Sequence, residues 1–548
     1  MRTRITKGGL TVNAIAGTHV VILGFDLPKS RANGLLGFAI QREDHTENER
    51  YWMSGLKTFA ATDPLAGPGG QVSSREHPFQ TFQWSDYSAK PDHDYTYRVI
   101  ALRGKPAKLK ESETVTLRIQ TETESSGTHT AFFNRGAAAS QEYARRFQNE
   151  PPSKAGPAAY KWLSRGLQEA MLAFIAQANG AKFSLYGAIY EFQWPEVLAA
   201  IRAAAKTGAK VRIVYDAAGA KKANEAAIAA AKIKALCRPR AHTTAIAHNK
   251  FFVLTKTQGD KEVPVSVWTG STNLTENGIF GHSNLAHIVR DAKIAQAYLN
   301  YWRALSGDPT GDTIKAWDLA NSPAPTPPLT AITPVFSPRK GLAPLDWYAA
   351  LAGSASRGLF MTFAFGMHEK FSNVYGRNDG VLRFALMETK GMTAAAKATI
   401  DRIRRLPNCV VAVGNAIKTN SFDHWLAELP QIVANVHVRY IHTKYMLVDP
   451  LGKAPVVVTG SANFSKASTD ANDENMLVIR RDARVADIYL GEFMRLHSHY
   501  AFREAVAIAK AKHETWSPKN LAPDDTWTKD YYKPKSPRAL RRQYFAGT

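Results

Sequence analysis

IHTKYMLVDP, Ile441–Pro450, sets His442, Lys444 and Asp449 in a run that is otherwise apolar, and GSANFS, Gly460–Ser465, follows it. An earlier stretch repeats both parts: AHNKFFVLTK, Ala247–Lys256, then GSTNLT, Gly270–Thr275. On a strand, residues i and i+2 point the same way. His442 therefore shares a face with Lys444, and Ser461 with Asn463. The first copy does the same with His248 and Lys250, and with Ser271 and Asn273. The segments between, TKTQGDKEVP and PLGKAP, read as hairpin loops that bring each HxK beside its GSxN. One sheet face then presents an imidazole, an ammonium, a hydroxyl and a carboxamide. Asn249 and Thr443 should face the other side.

Outward from these motifs, strands and helices alternate, which predicts α/β layers. Before the first copy come a helix over Leu163–Gln177, a strand over Phe183–Phe192, an alanine-rich helix over Pro195–Thr207 and a strand over Lys210–Asp216. Before the second come a strand over Leu359–Phe365, a helix over Thr393–Leu406 and a strand over Val410–Val413. Matching motifs 194 positions apart (442 − 248) make this an internal duplication. Residues 1–120 differ: short alternating runs such as HVVILGF, TYRVIAL and VTLRIQT between turns predict an all-β sandwich of fibronectin III or immunoglobulin-like type. We divide the chain into this accessory module, a connector over 121–157, a first half over 158–320, a proline-rich linker over 321–341, a second half over 342–510, and a tail over 511–548 that interleaves aromatics with Lys and Arg.

The 548 residues suit two or three domains. No run approaches the roughly 18 apolar residues of a membrane span, and MRTRITKGGL lacks the apolar core of a secretory signal. Cys237 and Cys409 are the only cysteines and make no metal-ligand spacing, so we expect free thiols and a cytoplasmic protein. A net charge of +23, spread along the chain, favours anionic partners: nucleic acid, anionic phospholipid or phosphate esters.

The second copy reads His442-x-Lys444-x4-Asp449, then Gly460-Ser461-x-Asn463, then Asn472-x-Glu474. This resembles the phospholipase D superfamily, whose signature is HxKxxxxD, GSxN and a downstream acidic residue. The first copy keeps His248, Lys250, Ser271 and Asn273, but has Thr255 at the Asp position and Asn284 where the second has Glu474. The resemblance spans about residues 158–510. It implies two halves related by a pseudo-twofold axis, each an α-β-α layer, with both half-sites in one monomer. It also implies a metal-independent phosphodiesterase with no cofactor. One histidine attacks phosphorus to give a phosphohistidine while the other protonates the leaving oxygen and then activates water. Lys250 and Lys444 would hold the phosphate with Ser271, Asn273, Ser461 and Asn463, supported by Asn284, Asp449 and Asn472. A histidine bonded to a carboxylate keeps its proton more strongly. With Glu474 on His442 and only the Asn284 amide on His248, we expect His248 as nucleophile and His442 as general acid. The substrate is expected to be nucleic acid, with phospholipid hydrolysis or transphosphatidylation, and a non-catalytic phosphate-binding scaffold, as alternatives.

Three further features carry expectations. HSNLAHI, His282–Ile288, adds two histidines near the first site, more in keeping with packing than with substrate contact. His368 follows a predicted strand and could line the cleft. Trp516, Trp527, Tyr531 and Tyr532 in the tail suit anchoring onto the body slightly better than stacking on single strands.

Overall fold

The computed structural model describes the chain apart from residues 65–69, 125–126, 137–139, 323–329, 415–439 and 514–519. Its strands run in chain order. In the amino-terminal module they are β1 Arg2–Lys7, β2 Leu10–Ala16, β3 Val21–Asp26, β4 Gly37–Asp44, β5 Glu49–Trp52, β6 Ser54–Gly55, β7 Val72–Ser73, β8 Gln83–Asp86, β9 Asp94–Lys105 and β10 Lys108–Gln120. Sheets of order β1-β2-β3-β8 and β10-β9-β4-β5 pack face to face. Alternate residues of β9 (Tyr95, Tyr97, Val99, Ala101) and of β2 (Leu10, Val12, Ala14, Ala16) share the core between them. This is the all-β sandwich that period-two alternation specifies.

The remaining strands form two sheets of identical topology. The first holds β11 His129–Phe133, β12 Phe183–Ile189, β13 Lys210–Asp216, β14 Cys237–Arg240, β15 Lys250–Gln258, β16 Lys261–Gly270 and β17 Leu285–Val289, in the order β11-β17-β16-β15-β12-β13-β14. The second holds β18 Ile332–Ser337, β19 Gly358–Phe363, β20 Leu382–Met387, β21 Cys409–Val413, β22 Tyr445–Val448, β23 Val456–Gly460 and β24 Glu474–Arg480, in the order β18-β24-β23-β22-β19-β20-β21. Strands such as β19 and β20 are buried at every position, because helices cover both faces and no side needs to be polar. The duplication read from the motifs thus extends to every strand of each sheet.

Two segments read as connections contribute strands instead. β11 lies within 121–157 and pairs antiparallel with β17. β18 lies within 321–341 and pairs with β24. Pro334 sits in β18, an edge strand, where a missing amide does not break a ladder. Proline composition therefore reads as linker although the flanking residues Val335 and Phe336 are buried. The helix expected over Leu163–Gln177 is two, Pro157–Ser164 and Leu167–Ala176. Arg165 takes a left-handed backbone between them, and its guanidinium forms a buried pair with Glu492 at 2.7 Å.

A 29-residue helix, Ala483–Ala511, touches the sandwich, the first sheet at β11 and the second at β20, β21 and β23. The tail then returns. Trp527 and Tyr531 enter the sandwich core, and Trp527 Nε1 donates to the Leu35 carbonyl at 2.8 Å. The helix Pro537–Ala546 crosses β3 so closely that a Cβ on Gly24 would lie 2.2 Å from the Phe545 carbonyl oxygen. Its Tyr544 ring packs on Gly358 and Phe360 of the second half. The tail is thus an anchor between module and second half; Trp516 lies outside the described residues. Among those residues no helix is long and apolar enough to cross a membrane.

Candidate active site

The two HxK segments lead into equivalent strands, β15 and β22, and reach the same cleft from opposite sides. The His248 and His442 ring centroids are 6.4 Å apart. Each segment is stitched by backbone hydrogen bonds to the other half. The Ser283 amide donates to Tyr440 O at 2.7 Å and the His442 amide to Ser283 O at 3.1 Å. On the opposite side the Ala245 amide donates to Ala471 O at 3.1 Å and the Asp473 amide to Ile246 O at 3.0 Å.

This stitching sets each histidine beside the polar residue of the other half. His248 Nδ1 donates to Glu474 Oε2 at 2.9 Å, and His442 Nδ1 donates to Asn284 Oδ1 and to the Ser271 carbonyl, both at 3.0 Å. The pairing expected within each copy is therefore wrong. Spacing along one chain suggested it, but the pseudo-twofold axis exchanges the partners. Because both Nδ1 atoms face acceptors, both carry the proton, and both Nε2 atoms hold the lone pair.

The serines also lie elsewhere than expected. Ser461 Oγ donates to Glu474 Oε2 at 2.7 Å and Ser271 Oγ to Asn284 Oδ1 at 2.8 Å. Both are fully buried, and they orient the histidines' partners rather than face a ligand. Ser468 Oγ, which sequence reasoning missed, donates to Glu474 Oε1 at 2.8 Å, and Asn472 Nδ2 lies 3.5 Å from the same oxygen. Asp449 is not at the site. It lies at the far end of β22 and accepts from the amides of Ser356, Arg357 and Gly358 at 2.7–2.9 Å. That is a turn-stabilising role, and Thr255 takes its place in the first half without changing the cleft.

Lys250 and Lys444 are buried, and each Nζ donates to the carbonyl of its own histidine at 2.7 Å. Burial lowers Lys250 to about 8 and holds Lys444 well below the ordinary ammonium range, with Lys250 adding to the effect on Lys444. Burial also lowers His248 to about 4 and holds His442 well below the ordinary imidazole range, the latter helped by Lys444, His282 and Lys250. Burial would raise Glu474, but His248 and Lys250 outweigh it and its carboxyl stays below the usual value. The cleft is buried and rich in donors. Adding an anion would restore charge to every one of these bases.

Asn273 and Asn463 also belong here, each with a buried Oδ1 that accepts no hydrogen bond. Asn273 Nδ2 donates to Glu191, just beyond β12. Tyr190 packs on His248 with ring centroids 4.8 Å apart and under the Lys250 ammonium at 5.0 Å. Neither Tyr190 nor Glu191 was singled out from sequence. Their place after a strand's carboxyl end is the signal, because open α/β sheets put ligands there. The two histidines of HSNLAHI divide. His282 lies 5.5 Å from His442 between ring centroids, whereas His287 is buried in a chain with His129 and Tyr489. Asn249 turns away from the cleft to Asn475 and Tyr301. His368 caps a helix, accepting from the Lys370 amide at 3.3 Å. Among the described residues, the grouping with metal-ligand spacing is Asp44, Glu47 and His93, in the sandwich rather than the cleft.

A family model described as "Cardiolipin synthase, PLD-like domain" matches residues 174–305 and 411–497. These ranges contain both HxK and both GSxN segments. Comparison with curated proteins gave no match. Among solved structures, phosphatidylserine synthase from Haemophilus influenzae Rd KW20 is similar at 12% identity over 64% of this chain and 92% of that one, with a TM-score of 0.41. Nuc, a phospholipase D family member from Salmonella typhimurium, is 20% identical over 31% and 94%, with a TM-score of 0.22. A yeast tyrosyl-DNA phosphodiesterase mutant is 10% identical over 57% and 87%, with a TM-score of 0.34. The family match over residues 174–305 and 411–497 and the duplicated histidine–lysine cleft carry the conclusion that this part of the chain belongs to the phospholipase D superfamily.

Proposed function

We propose that the chain is a metal-independent phosphodiester hydrolase that works through a phosphohistidine, and that its substrate is a nucleic acid. The observation that carries the chemistry is the facing pair of imidazoles, each fixed through Nδ1 with its Nε2 free and flanked by a buried lysine. His248 remains the nucleophile, for a different reason from the one the sequence suggested. Attack by Nε2 leaves a positive charge on the ring, and Glu474 is the carboxylate placed to offset it. The P–N bond forms as the P–O ester bond breaks, and the leaving oxygen takes a proton from His442 Nε2. His442 then removes a proton from water, which attacks phosphorus and returns the electron pair to His248. Asn284 is neutral, so it orients His442 without holding its proton. The negative charge of the bound substrate raises the pKa of His442, whose Nε2 then takes up a proton from solvent before the leaving oxygen departs.

The charge of +23 supports a polyanionic substrate, whose binding should weaken steeply with salt. One observation favours a phospholipid instead. Phe365 is 38% and Met392 90% exposed, on neighbouring loops that meet where Gly366 approaches Gly391. Such a tip could enter a lipid surface. The deciding experiment is hydrolysis in EDTA of single-stranded DNA, duplex DNA, RNA and phosphatidylcholine vesicles by the protein and its His248→Ala and His442→Ala variants. Cleavage of a nucleic acid, lost in both variants, supports the proposal. Choline release with nucleic acid left intact replaces it with the lipid reading, and no turnover of any substrate leaves phosphate binding alone.

A further inference from the structure

We infer that Glu191 makes this cleft select phosphodiesters over phosphomonoesters, and so favours release of the hydrolysis product. The inference rests on the reading of the cleft as a phosphate site. Glu191 is held at that site twice. Its backbone carbonyl accepts from the Leu274 amide at 3.0 Å, and its carboxylate accepts from Asn273 Nδ2. Burial raises its pKa from the ordinary carboxylate value, and the charges of Lys250 and Lys444 oppose that rise and favour its ionised form. Register explains its place. Ile189 pairs with Lys250 and the Tyr190 amide donates to Asn249 O, so Glu191 falls opposite His248.

The fold does not require a carboxylate there. In the second sheet Met361 pairs with Met446, and the same register carried forward puts Phe365 opposite His442. The pseudo-equivalent of Glu191 is thus an exposed phenylalanine. One half brings an extra negative charge to a cleft whose lysines and histidines would otherwise favour anions without limit. Its effect depends on ligand charge. A diester carries one negative charge, whereas a monoester carries between one and a half and two at neutral pH, roughly. A fixed carboxylate opposes the second almost twice as strongly. Hydrolysis of a diester yields a monoester, so Glu191 disfavours the product more than the substrate. Its contact with Asn273 has a separate, positioning role, because it turns the amide nitrogen rather than the oxygen toward the carboxylate.

Glu191→Gln separates these roles, since glutamine keeps an acceptor for Asn273 and loses the charge. The probes are methyl phosphate and dimethyl phosphate, with dissociation constants measured by calorimetry at about pH 7.5, where the first is mostly a dianion. For Glu191→Gln we expect methyl phosphate binding to tighten by about tenfold and dimethyl phosphate by about threefold, so that their ratio moves by at least about threefold. Phe365→Glu, at an exposed position that tolerates a polar side chain, should move the ratio the other way. An unchanged ratio in both variants overturns the inference while leaving the phosphate site intact. Failure of dimethyl phosphate to bind the unaltered protein overturns the phosphate site and the inference together.

Discussion

Glu474 accepts a hydrogen bond at 2.9 Å from His248, 226 positions earlier and in the opposite half of the duplication. His442 meets the first half's Asn284 in the same way. The cleft is therefore symmetric in geometry and asymmetric in charge, with its one histidine-bound carboxylate on the His248 side.

The first prediction follows from that asymmetry. Glu474→Gln keeps the hydrogen bond to His248 but removes the charge that offsets a phosphorylated ring. We expect kcat to fall by about two to three powers of ten, the usual scale for losing one preorganised electrostatic contact. Asn284→Asp should instead raise the pKa of His442, which must be protonated to act as general acid, and move the alkaline limb of the pH–rate profile upward. A profile that moves with Glu474→Gln and stays put with Asn284→Asp would reverse the two histidine roles.

The roles can also be separated by leaving group. A general acid matters most when the departing oxygen is a strong base. His442→Asn should cost about a hundredfold or more on an alkyl diester and much less on a bis(p-nitrophenyl) ester. With the bis(p-nitrophenyl) ester it should also accumulate a p-nitrophenylphosphoryl group on His248, which intact-protein mass spectrometry would detect. His248→Asn should abolish both activities and give no adduct.

Acid should weaken the fold through the same groups. His248 is lowered from 6.5 to about 4 by burial, so between those values the unfolded chain binds a proton that the folded one does not. Stability therefore falls as pH drops through that window, by on the order of 3 kcal/mol for this group alone. Glu474 has the same sign. Its carboxyl lies below its ordinary value when folded, so its contribution is present above about pH 4.5 and is lost as pH falls through the folded value. Thermal unfolding from pH 7 to 4 should show this loss, and His248→Asn should flatten the upper part of it.

Much of this site was legible because its parts are local. Each HxK runs into a strand and each GSxN follows one, although the strands themselves do not hold His248, Ser461 or Asn463, and the repeat announces two sheets. What spacing could not supply was anything that crosses the axis. Glu474 lies 32 residues from His442 (474 − 442) and farther from His248, yet backbone pairing across the halves gives it to His248. Glu191 was silent for a related reason: its motif partner Asn273 is 82 residues away. β11 and β18 were hidden by composition, because an edge strand tolerates the polar and proline residues that also mark connectors.

Arg240 and Asp473 test whether the crossing is held by charge. Their side chains are fully buried and meet at 2.9 Å, one before the His248 segment and the other beside Glu474. Burial raises Asp473 to about 6 even against the Arg240 charge. Arg240→Met strands a buried carboxylate and should lower unfolding free energy by about 3–5 kcal/mol. Adding Asp473→Leu should recover most of it. If the double variant is stable but His248 no longer titrates as in the parent protein, by NMR, the pair positions the site as well as stabilising the fold.

The tail provides the last test, because its contact depends on a missing side chain. In Gly24→Ala the new Cβ would fall 2.2 Å from the Phe545 carbonyl oxygen and within 2.3 Å of its carbon, backbone atoms that cannot swing aside. The helix Pro537–Ala546 would have to shift. Tyr544 would then leave Phe360, and Arg542 would lose its ion pair with Asp26. We expect a loss of about 1–3 kcal/mol, the range for overpacking. Limited proteolysis should cut first within the tail, before the sandwich or either sheet opens. Gly34→Ala is the control: no atom lies within 4 Å of its Cβ, so it carries only the strain of its backbone angle. Gly24 has an ordinary strand backbone angle, so a loss no larger than that of Gly34→Ala would mean that the docked helix yields to the new side chain and does not require its absence.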